Sequence, residues 1–600
     1  HHYTQALEVY TRQAFPADHR RTQRNLANLY FGEGRWAEAV AAFQGALAAG
    51  DLLYMAAATP EARRAELREV RDLPADLSYA LAQTATDGER ASLQEAVLAL
   101  EQNRARWLGE AFALRSERPP GVPDEAWRRF IAAGEQIRDL QAEARLPEDT
   151  PGKRVYIAIS QKLSSAHAAL EEAVDEVRRH APDFMPISTF ADVQVAAKVS
   201  PLVYIAATSA GGLALIVRDD EITPVWLDAL TDEALNKRVR GLTGDEWREI
   251  FAQWGKGDVT LQGIDKIFGG YLSTYRVWRF DRRNDVARAA WFAALEKTIA
   301  WLRETVMRPL RESLPEGAAL VTLIPTGDLA LLPLHAAPSL PGEKRRPVFT
   351  YAPNARALAA ARETAAQISP PYSLLAVDNP DGSLRFSDEE VAAALDAFDQ
   401  THHLANVRAT ASAVQAGLPQ HSVWHFSTHG RAGWEQPLDG ELLVADGTIT
   451  LRDLLQLQGT RARLAVLSAC ETGVPGTELP DEVIGLPTGL LQAGVAGVVG
   501  SLWAVNDLST ALLMMRFYQA WRVEGQAPPD ALHTAQTWLR ESTNADFQAY
   551  FKAQLPELTG ERMPHEVASA AYRRFTFSPD KDARPFAHPF HWAGFYYTGV

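Results

Sequence analysis

The spacing of hydrophobic positions changes character along the chain. In residues 1–50, Leu26, Ala27, Tyr30, Gly34, Trp36, Ala39, Phe43 and Ala46 recur at helical intervals. Small residues at some of these positions and large ones at others suit two helices that pack closely. Tyr3, Ala6 and Tyr10 repeat the Trp36, Ala39, Phe43 pattern one unit earlier, with one residue fewer. Residues 51–185 read as helical throughout. Leu93, Val97, Leu100, Arg104 and Leu108 form an apolar stripe broken by an arginine, and Ile159, Leu163, Ala166, Leu170, Val174 and Val177 form a second at near-heptad spacing. Ser116-Glu-Arg-Pro-Pro-Gly-Val-Pro123 is a turn between them. Long antiparallel helices are therefore expected to join the first segment to the remainder of the chain.

From residue 186 the pattern turns to short apolar runs bounded by turn residues. Leu202 to Ala207 and Leu213 to Val217, separated by Ser209-Ala-Gly-Gly212, read as a hairpin, and Leu320 to Ile324 as a strand. Asp219 to Asn284 is rich in charge and tryptophan, lacks a clean period and predicts no element. A further unit is expected over residues 370–600. It opens on the strand Ser373 to Val377 and the helix Phe386 to Ala397, with Ser387 as cap and Glu390 completing a capping box. Thr410 caps the next helix. Strands come next at Val423, at Leu464 and over Val495 to Leu502, and Tyr597 with its neighbours closes the sheet. This unit is expected to form one parallel-dominated sheet flanked by helices, and the fold class of the chain is α/β after an all-α region. The units are then 1–50, 51–185, 186–369 and 370–600.

Composition narrows the class without naming it. At 600 residues, 46% hydrophobic and 22% charged, the chain is an ordinary globular protein of several domains. It offers no uninterrupted apolar run of membrane-spanning length and no signal peptide, so a cytoplasmic protein is expected. A net charge of −15 argues against a nucleic-acid backbone as the main partner, while an acidic surface suits a basic protein.

The chemistry concentrates between Val423 and Gly473. Val-Trp-His-Phe-Ser-Thr-His-Gly (423–430) and Leu-Ala-Val-Leu-Ser-Ala-Cys-Glu-Thr-Gly (464–473) each run as a short apolar strand into a reactive side chain and then a glycine. Turns (Asp439-Gly440, Asp446-Gly447) and the helical Thr450-Leu-Arg-Asp-Leu-Leu lie between them, the grammar of a parallel crossover. Neighbouring parallel strands lie about 4.8 Å apart. If these two pair, His429 and Cys470 emerge together at the carboxyl edge of the sheet, where open α/β sheets bind ligands. An imidazole beside a thiol makes a thiolate nucleophile.

Cys470 is the only cysteine, which excludes an intrachain disulfide and a multi-thiolate zinc site. Alone it would read as a small buried hydrophobe; the His-Gly at the end of the preceding strand changes that. His425 sits on the strand body and reads as a core histidine, His402 and His403 have no thiol near them, and His335 reads as structural. No Gly-x-Ser-x-Gly elbow, His-Glu-x-x-His helix or phosphate loop is present, and no cofactor or metal is implied. The glycines from Gly485 to Gly500 read as close packing around the third strand.

His429-Gly430 and Ser468-Ala469-Cys470-Glu471-Thr472-Gly473 resemble the catalytic motifs of CHAT domains, caspase-like cysteine peptidases related to separase. So do Asp481-Glu482-Val-Ile-Gly-Leu, Ala493-Gly494-Val-Ala-Gly-Val-Val, Ser501-Leu-Trp-Ala-Val-Asn-Asp507, Leu323-Ile-Pro-Thr-Gly-Asp-Leu-Ala-Leu-Leu-Pro333 and His588-Pro-Phe-His-Trp-Ala-Gly594. The N-terminal spacing resembles a tetratricopeptide repeat. Such units need about three neighbours to stand alone, which suggests an array whose start is missing; the competing reading is an amphipathic hairpin.

The resemblance implies a degenerate first half and an active second half. It implies an oxyanion site at the backbone N–H groups of Gly430 and Cys470, and substrate binding along an exposed strand edge from Ser501 to Val505, with Trp503 walling a pocket. That pocket would also draw on Asp378 to Asp381, Ser468 and Asp507. The acids Asp378, Asp381 and Asp507 point to a basic or neutral residue before the cut. It further implies a protein substrate and a role in bacterial defence, while the repeat architecture suggests a regulatory protein partner on the helical repeats and the acidic charge no direct nucleic-acid contact. A non-enzymatic scaffold that keeps the fold for binding is the alternative.

Overall fold

The computed structural model describes residues 2–57, 60–85, 90–102, 121–145, 154–181, 188–241, 269–337, 347–433, 437–457, 460–473, 485–553 and 572–600, together with Arg104, Arg118, Phe184 and Asp481. Leu108, half of the turn expected at 116–123 and Glu482 to Ile484 of one motif lie outside the described residues.

The N-terminal part is helical. The helices Pro16–Gly32 and Trp36–Ala56 pair through Ala27, Ala39 and Ala46, all fully buried, while Phe31 meets Trp36 and Phe43 edge to face. This is the small-against-large packing of a tetratricopeptide-like unit. The preceding helix His2–Val9 fully buries no side chain, so the earlier half-unit has the spacing without the packing. Trp36–Ala56 is also the one helix among the described residues long and apolar enough to cross a membrane, an exception to the sequence expectation. Its apolar side chains Ala42, Phe43, Leu52 and Leu53 are buried within the protein.

The helix Tyr156–His180 buries every member of the Ile159-to-Val177 stripe, but its antiparallel partner is Asp124–Arg145 and not the 93–108 stripe, whose helix Arg90–Glu101 packs on Leu73–Thr84. Tyr79, on the helix Leu73–Thr84, carries the helical region onto the sheet by packing against both Trp36 and Trp226.

The strands are β1 (Leu202–Thr208), β2 (Gly211–Arg218), β3 (Glu221–Leu227), β4 (Leu320–Pro325), β5 (Val348–Tyr351), β6 (Ser373–Asp378), β7 (Gln400–Ala405), β8 (Val423–Ser427), β9 (Gly430–Arg431), β10 (Glu441–Val444), β11 (Gly447–Thr450), β12 (Leu464–Ser468), β13 (Gly497–Ser501) and β14 (Phe595–Gly599). They build one 11-stranded sheet in the order β3-β2-β1-β4-β5-β14-β13-β12-β8-β6-β7, beside a 3-stranded sheet β11-β10-β9. The two expected α/β halves therefore share a single sheet. β14 does not close an edge as the sequence suggested. It lies centrally, parallel to β5 of the first half and antiparallel to β13 of the second.

Three further expectations change. The turns between the His and Cys strands include the hairpin β10–β11, which Ala445-Asp446 joins, Gly447 opening β11, and which pairs with Gly430-Arg431 of β9. The helix Ser387–Asp396 is preceded by Phe386, and Ser387 does not cap it: its hydroxyl binds Asp378 and, at 2.9 Å, Ser427. Asp219 to Asn284, blank by periodicity, contributes β3 and the helices Asp232–Arg240 and Tyr271–Phe280. Thr410 does cap its helix, accepting from the Ala413 N–H, and Thr450, which the sequence placed inside a helix, caps Leu451–Gln456 by accepting from the Asp453 N–H. The glycines after Gly485 are tight: a Cβ on Gly497 would fall 1.9 Å from the Tyr597 hydroxyl oxygen.

Candidate active site

Strands β6, β8, β12 and β13 run parallel and end at one edge. Ser427 of β8 pairs with Ser468 of β12, so His429 and Cys470 leave their strands in register, each two residues past that pair. The loops stay close beyond the sheet: a Cβ on Gly430 would lie 2.7 Å from the Cys470 carbonyl oxygen and 3.2 Å from Ala469 Cβ. Only glycine fits there. The Leu443 N–H donates to the His429 carbonyl (2.8 Å), so the β9–β10 pairing holds the histidine from the far side.

On the imidazole side, Asn379 adopts a left-handed φ of 46° and closes the loop after β6, its side chain bonding both the N–H and the carbonyl of Leu384 (3.0 Å each). That loop delivers Ser383 Oγ to 2.6 Å from His429 Nε2, while the Ser383 hydroxyl donates to Asp381 Oδ1 at 2.9 Å. Asp381 Oδ2 lies 3.7 Å from the same nitrogen. A serine that gives its proton to Asp381 accepts one from Nε2, which leaves the lone pair of the neutral ring on Nδ1.

On the thiol side, residues 469–473 fold back onto β13. The Ser501 hydroxyl donates to Ala469 O (2.6 Å), the Ser501 N–H to Thr472 Oγ1 (3.0 Å), and the Gly473 N–H to Ser501 O (2.8 Å). Glu471 takes a left-handed φ of 59° and is 1% exposed. Its carboxylate accepts from Tyr275 Oη (2.5 Å) and Arg279 Nε (2.8 Å). Arg282 Nη2 stands 3.8 Å from Cys470 Sγ, and its guanidinium covers the Trp278 ring. Tyr275, Arg279 and Arg282 all come from the segment that had no readable period.

The expected binding residues distribute differently. Ser501 and Trp503 are fully buried and β13 lies inside the sheet, so no exposed edge runs along them. Trp503 does not wall an open pocket: its Nε1–H donates to the Phe590 carbonyl (3.1 Å) and its ring packs on Trp291. Ser468 is 5% exposed, and Val505 is only partly buried. Asp378 is buried; bonds to His403 Nε2 (2.8 Å) and Ser387, against the cost of burial, hold its carboxyl below the usual carboxylate range. Asp507 accepts from the Arg385 N–H (2.8 Å). Each acid behind the expected basic preference thus has another partner, and an arginine stands at the sulfur instead.

His425 is a fully buried core histidine, with Nδ1 3.0 Å from Tyr518 Oη and Nε2 3.2 Å from Glu390. His335 bonds Tyr351 Oη (3.0 Å), and burial pushes its pKa down to about 4. Among the described residues no group of His, Cys, Asp and Glu side chains could hold a metal ion.

A family model described as the CHAT domain matches residues 296–600, half of the chain. The chain belongs to the CHAT domain family. That places it in a caspase-like protease family, with its matched region beginning inside the helix Asp285–Leu302 and running through β14. No curated protein matches it. Two solved Saccharomyces cerevisiae separase–securin complexes are similar over 89% of this chain and 47% of theirs, at 11% and 12% identity and TM-scores of 0.35 and 0.37. A complex of the Porphyromonas gingivalis RgpB pro- and mature domains is similar over 51% of this chain and 68% of its own, at 9% identity and a TM-score of 0.27. The chain spans about half the length of the separase chains it matches. Within the CHAT region lie His429, Cys470 and the whole 469–473 loop, whereas Tyr275, Arg279 and Arg282 precede it.

Proposed function

We propose that this CHAT protein is a cysteine endopeptidase in which His429 and Cys470 act as a dyad on a protein substrate. The observation that carries the reading is the β8–β12 register, which brings both side chains out at the same sheet edge with Gly430 packed against the Cys470 carbonyl. In this mechanism Cys470 Sγ attacks the scissile carbonyl as thiolate. The new C–S bond pushes the carbonyl electrons onto oxygen, and the backbone N–H groups of Gly430 and Cys470 hold that oxyanion. His429 takes the thiol proton and returns it to the leaving amine as the C–N bond breaks; water then hydrolyses the thioester. Ser383 and Asp381 orient the imidazole for this transfer.

We also propose that a protein partner on the helical repeats controls the site, in the bacterial-defence setting that the family resemblance implies. Support comes from Arg104, on the helical side, whose Nε donates to Pro353 O (2.8 Å) and whose Nη1 lies 3.3 Å from Asp481 Oδ1. Asp481 also accepts from the Gly327 N–H (2.7 Å) and belongs to the segment that comes after Cys470. A displacement of the helices thus has a direct handle beside the nucleophile loop.

The test is cleavage of a peptide library, with new termini read by mass spectrometry, for the native chain and Cys470→Ala. Cuts that vanish in the variant support the peptidase. Cuts that survive it exclude Cys470 as nucleophile, and no cuts from either chain favour the scaffold.

A further inference from the structure

Glu471 presents two costs with no return in the mechanism above. It is a non-glycine residue with φ of 59°, and it buries a carboxylate next to the group that must become an anion. Backbone strain of this kind persists where surroundings over-determine it, and buried charges persist where they are paired. The surroundings here are one helix, Tyr271–Phe280.

Tyr275 gives its hydroxyl proton to Glu471 Oε1, and its oxygen accepts the Ala504 N–H (2.9 Å). One phenol therefore joins the nucleophile loop to the segment after β13. Arg279 Nε donates to the same carboxylate oxygen. The Glu471 N–H reaches the Trp503 carbonyl at 3.4 Å. The helix is itself fixed: Trp278 stacks on Trp291 with centroids 4.8 Å apart and planes 8° from parallel. Burial, reinforced by the Glu471 charge, holds the Tyr275 hydroxyl far above its ordinary pKa, so it stays a donor. Burial works against the Arg279 charge, yet the Glu471 carboxylate outweighs it and raises the guanidinium pKa.

We propose that Tyr275, Arg279 and Glu471 form a positioning clamp: it locks the nucleophile loop onto the segment after β13, and Arg279 cancels the Glu471 charge so that the Cys470 sulfur can ionise. The clamp deepens the reading of Cys470 as nucleophile, and rests on it. Among the described residues, Arg282 stands at the sulfur, Tyr275 and Arg279 lie within electrostatic reach of it, Glu471 follows it in its own loop, and His429, with Asp381 on its far nitrogen, leaves β8 at the same sheet edge. Glu471 is the carboxylate of the sulfur's own loop and opposes a thiolate, whereas Asp381 stands behind the imidazole.

Because Cys470 is the only cysteine, its ionisation can be read without a substrate. The rate of iodoacetamide alkylation, tracked by intact mass across pH, reports the thiolate fraction. In Arg279→Gln the uncancelled carboxylate moves the rate profile to higher pH and slows alkylation at neutral pH by about tenfold. In Glu471→Gln the profile moves to lower pH. The double variant returns towards the native profile, and Arg279→Lys, which keeps the charge, stays near it. A merely structural role would change the high-pH plateau, where access decides, and leave the midpoint in place.

Two single variants that shift in the same direction, or not at all, overturn the clamp. If Glu471→Gln fails to fold, Arg279→Gln against Arg279→Lys decides, with equal profiles overturning it. Library cleavage that survives Cys470→Ala would fail the peptidase reading and leave these profiles untouched, so the two failures are distinct.

Discussion

At the scale of single residues, a few side chains do chemical work that only their neighbours explain. Ser383 links Asp381 to His429 Nε2, so Ser383→Ala frees the ring to rotate and to change tautomer. Its turnover is expected to fall between about tenfold and about a hundredfold, part of the contribution of general-base catalysis, with little change in stability. Unchanged turnover on a cleaved peptide would remove Ser383 from the site. His335 gives a pH prediction of defined sign. Its folded pKa, about 4, lies below the ordinary 6.5, so the unfolded chain takes up the proton first. Its contribution to stability is complete above pH 6.5 and is lost as pH falls from there towards 4. His335→Asn should flatten that part of a stability–pH curve, and an unaltered slope would contradict the burial.

The legible residues were those whose signal is local. His429 and Cys470 could be read because each ends a short apolar run and adjoins a motif. Tyr275 could not, since it meets Glu471 across a separation of 196 residues. Trp503 misled for the opposite reason. An aromatic in a strand-end motif reads equally as pocket wall or core, and its burial is decided by Trp291 and Phe590 from elsewhere in the chain.

At the scale of elements, capping and periodicity carried most of the reading. Thr410 announced its helix, and the Ile159-to-Val177 stripe announced its buried face. The hairpin β10–β11 hid behind the turn read at Asp446-Gly447, because strands of 4 residues are too short for a period to stand out. Ser387 shows how tertiary demand displaces a local rule: the hydroxyl that would cap the helix is taken by Asp378 and Ser427. The arginine that broke the 93–108 stripe is likewise explained by its partner. Arg104 is buried in order to meet Asp481 and Pro353. Arg104→Ala leaves the Asp481 carboxylate without that cation and should cost on the order of 3 kcal/mol in chemical denaturation. A loss below about 1 kcal/mol would mean the pair behaves like a surface ion pair and gives the helices no hold on the loop.

At the scale of the whole molecule, the sheet is continuous across both α/β halves because β14 stands between β5 and β13. The C-terminal strand pairs with β13 on one side and with β5 on the other, and beyond it the Val600 N–H donates to Ala496 O at 3.0 Å and Arg463 donates to Val600 O at 2.7 Å. Calorimetry should therefore give one cooperative transition for the two halves, and removal of residues 595–600 should abolish it. Two transitions, one per half, would contradict a shared sheet. The same sheet sets the geometry on which the chemistry depends, since the β8–β12 register brings an imidazole and a lone sulfur to one edge. The most direct measurement is the alkylation rate of Cys470 at neutral pH in the native chain and in His429→Ala. A fall on the order of tenfold, with the high-pH plateau preserved, is the predicted result for a histidine that serves the thiol. Equal rates at every pH would contradict it.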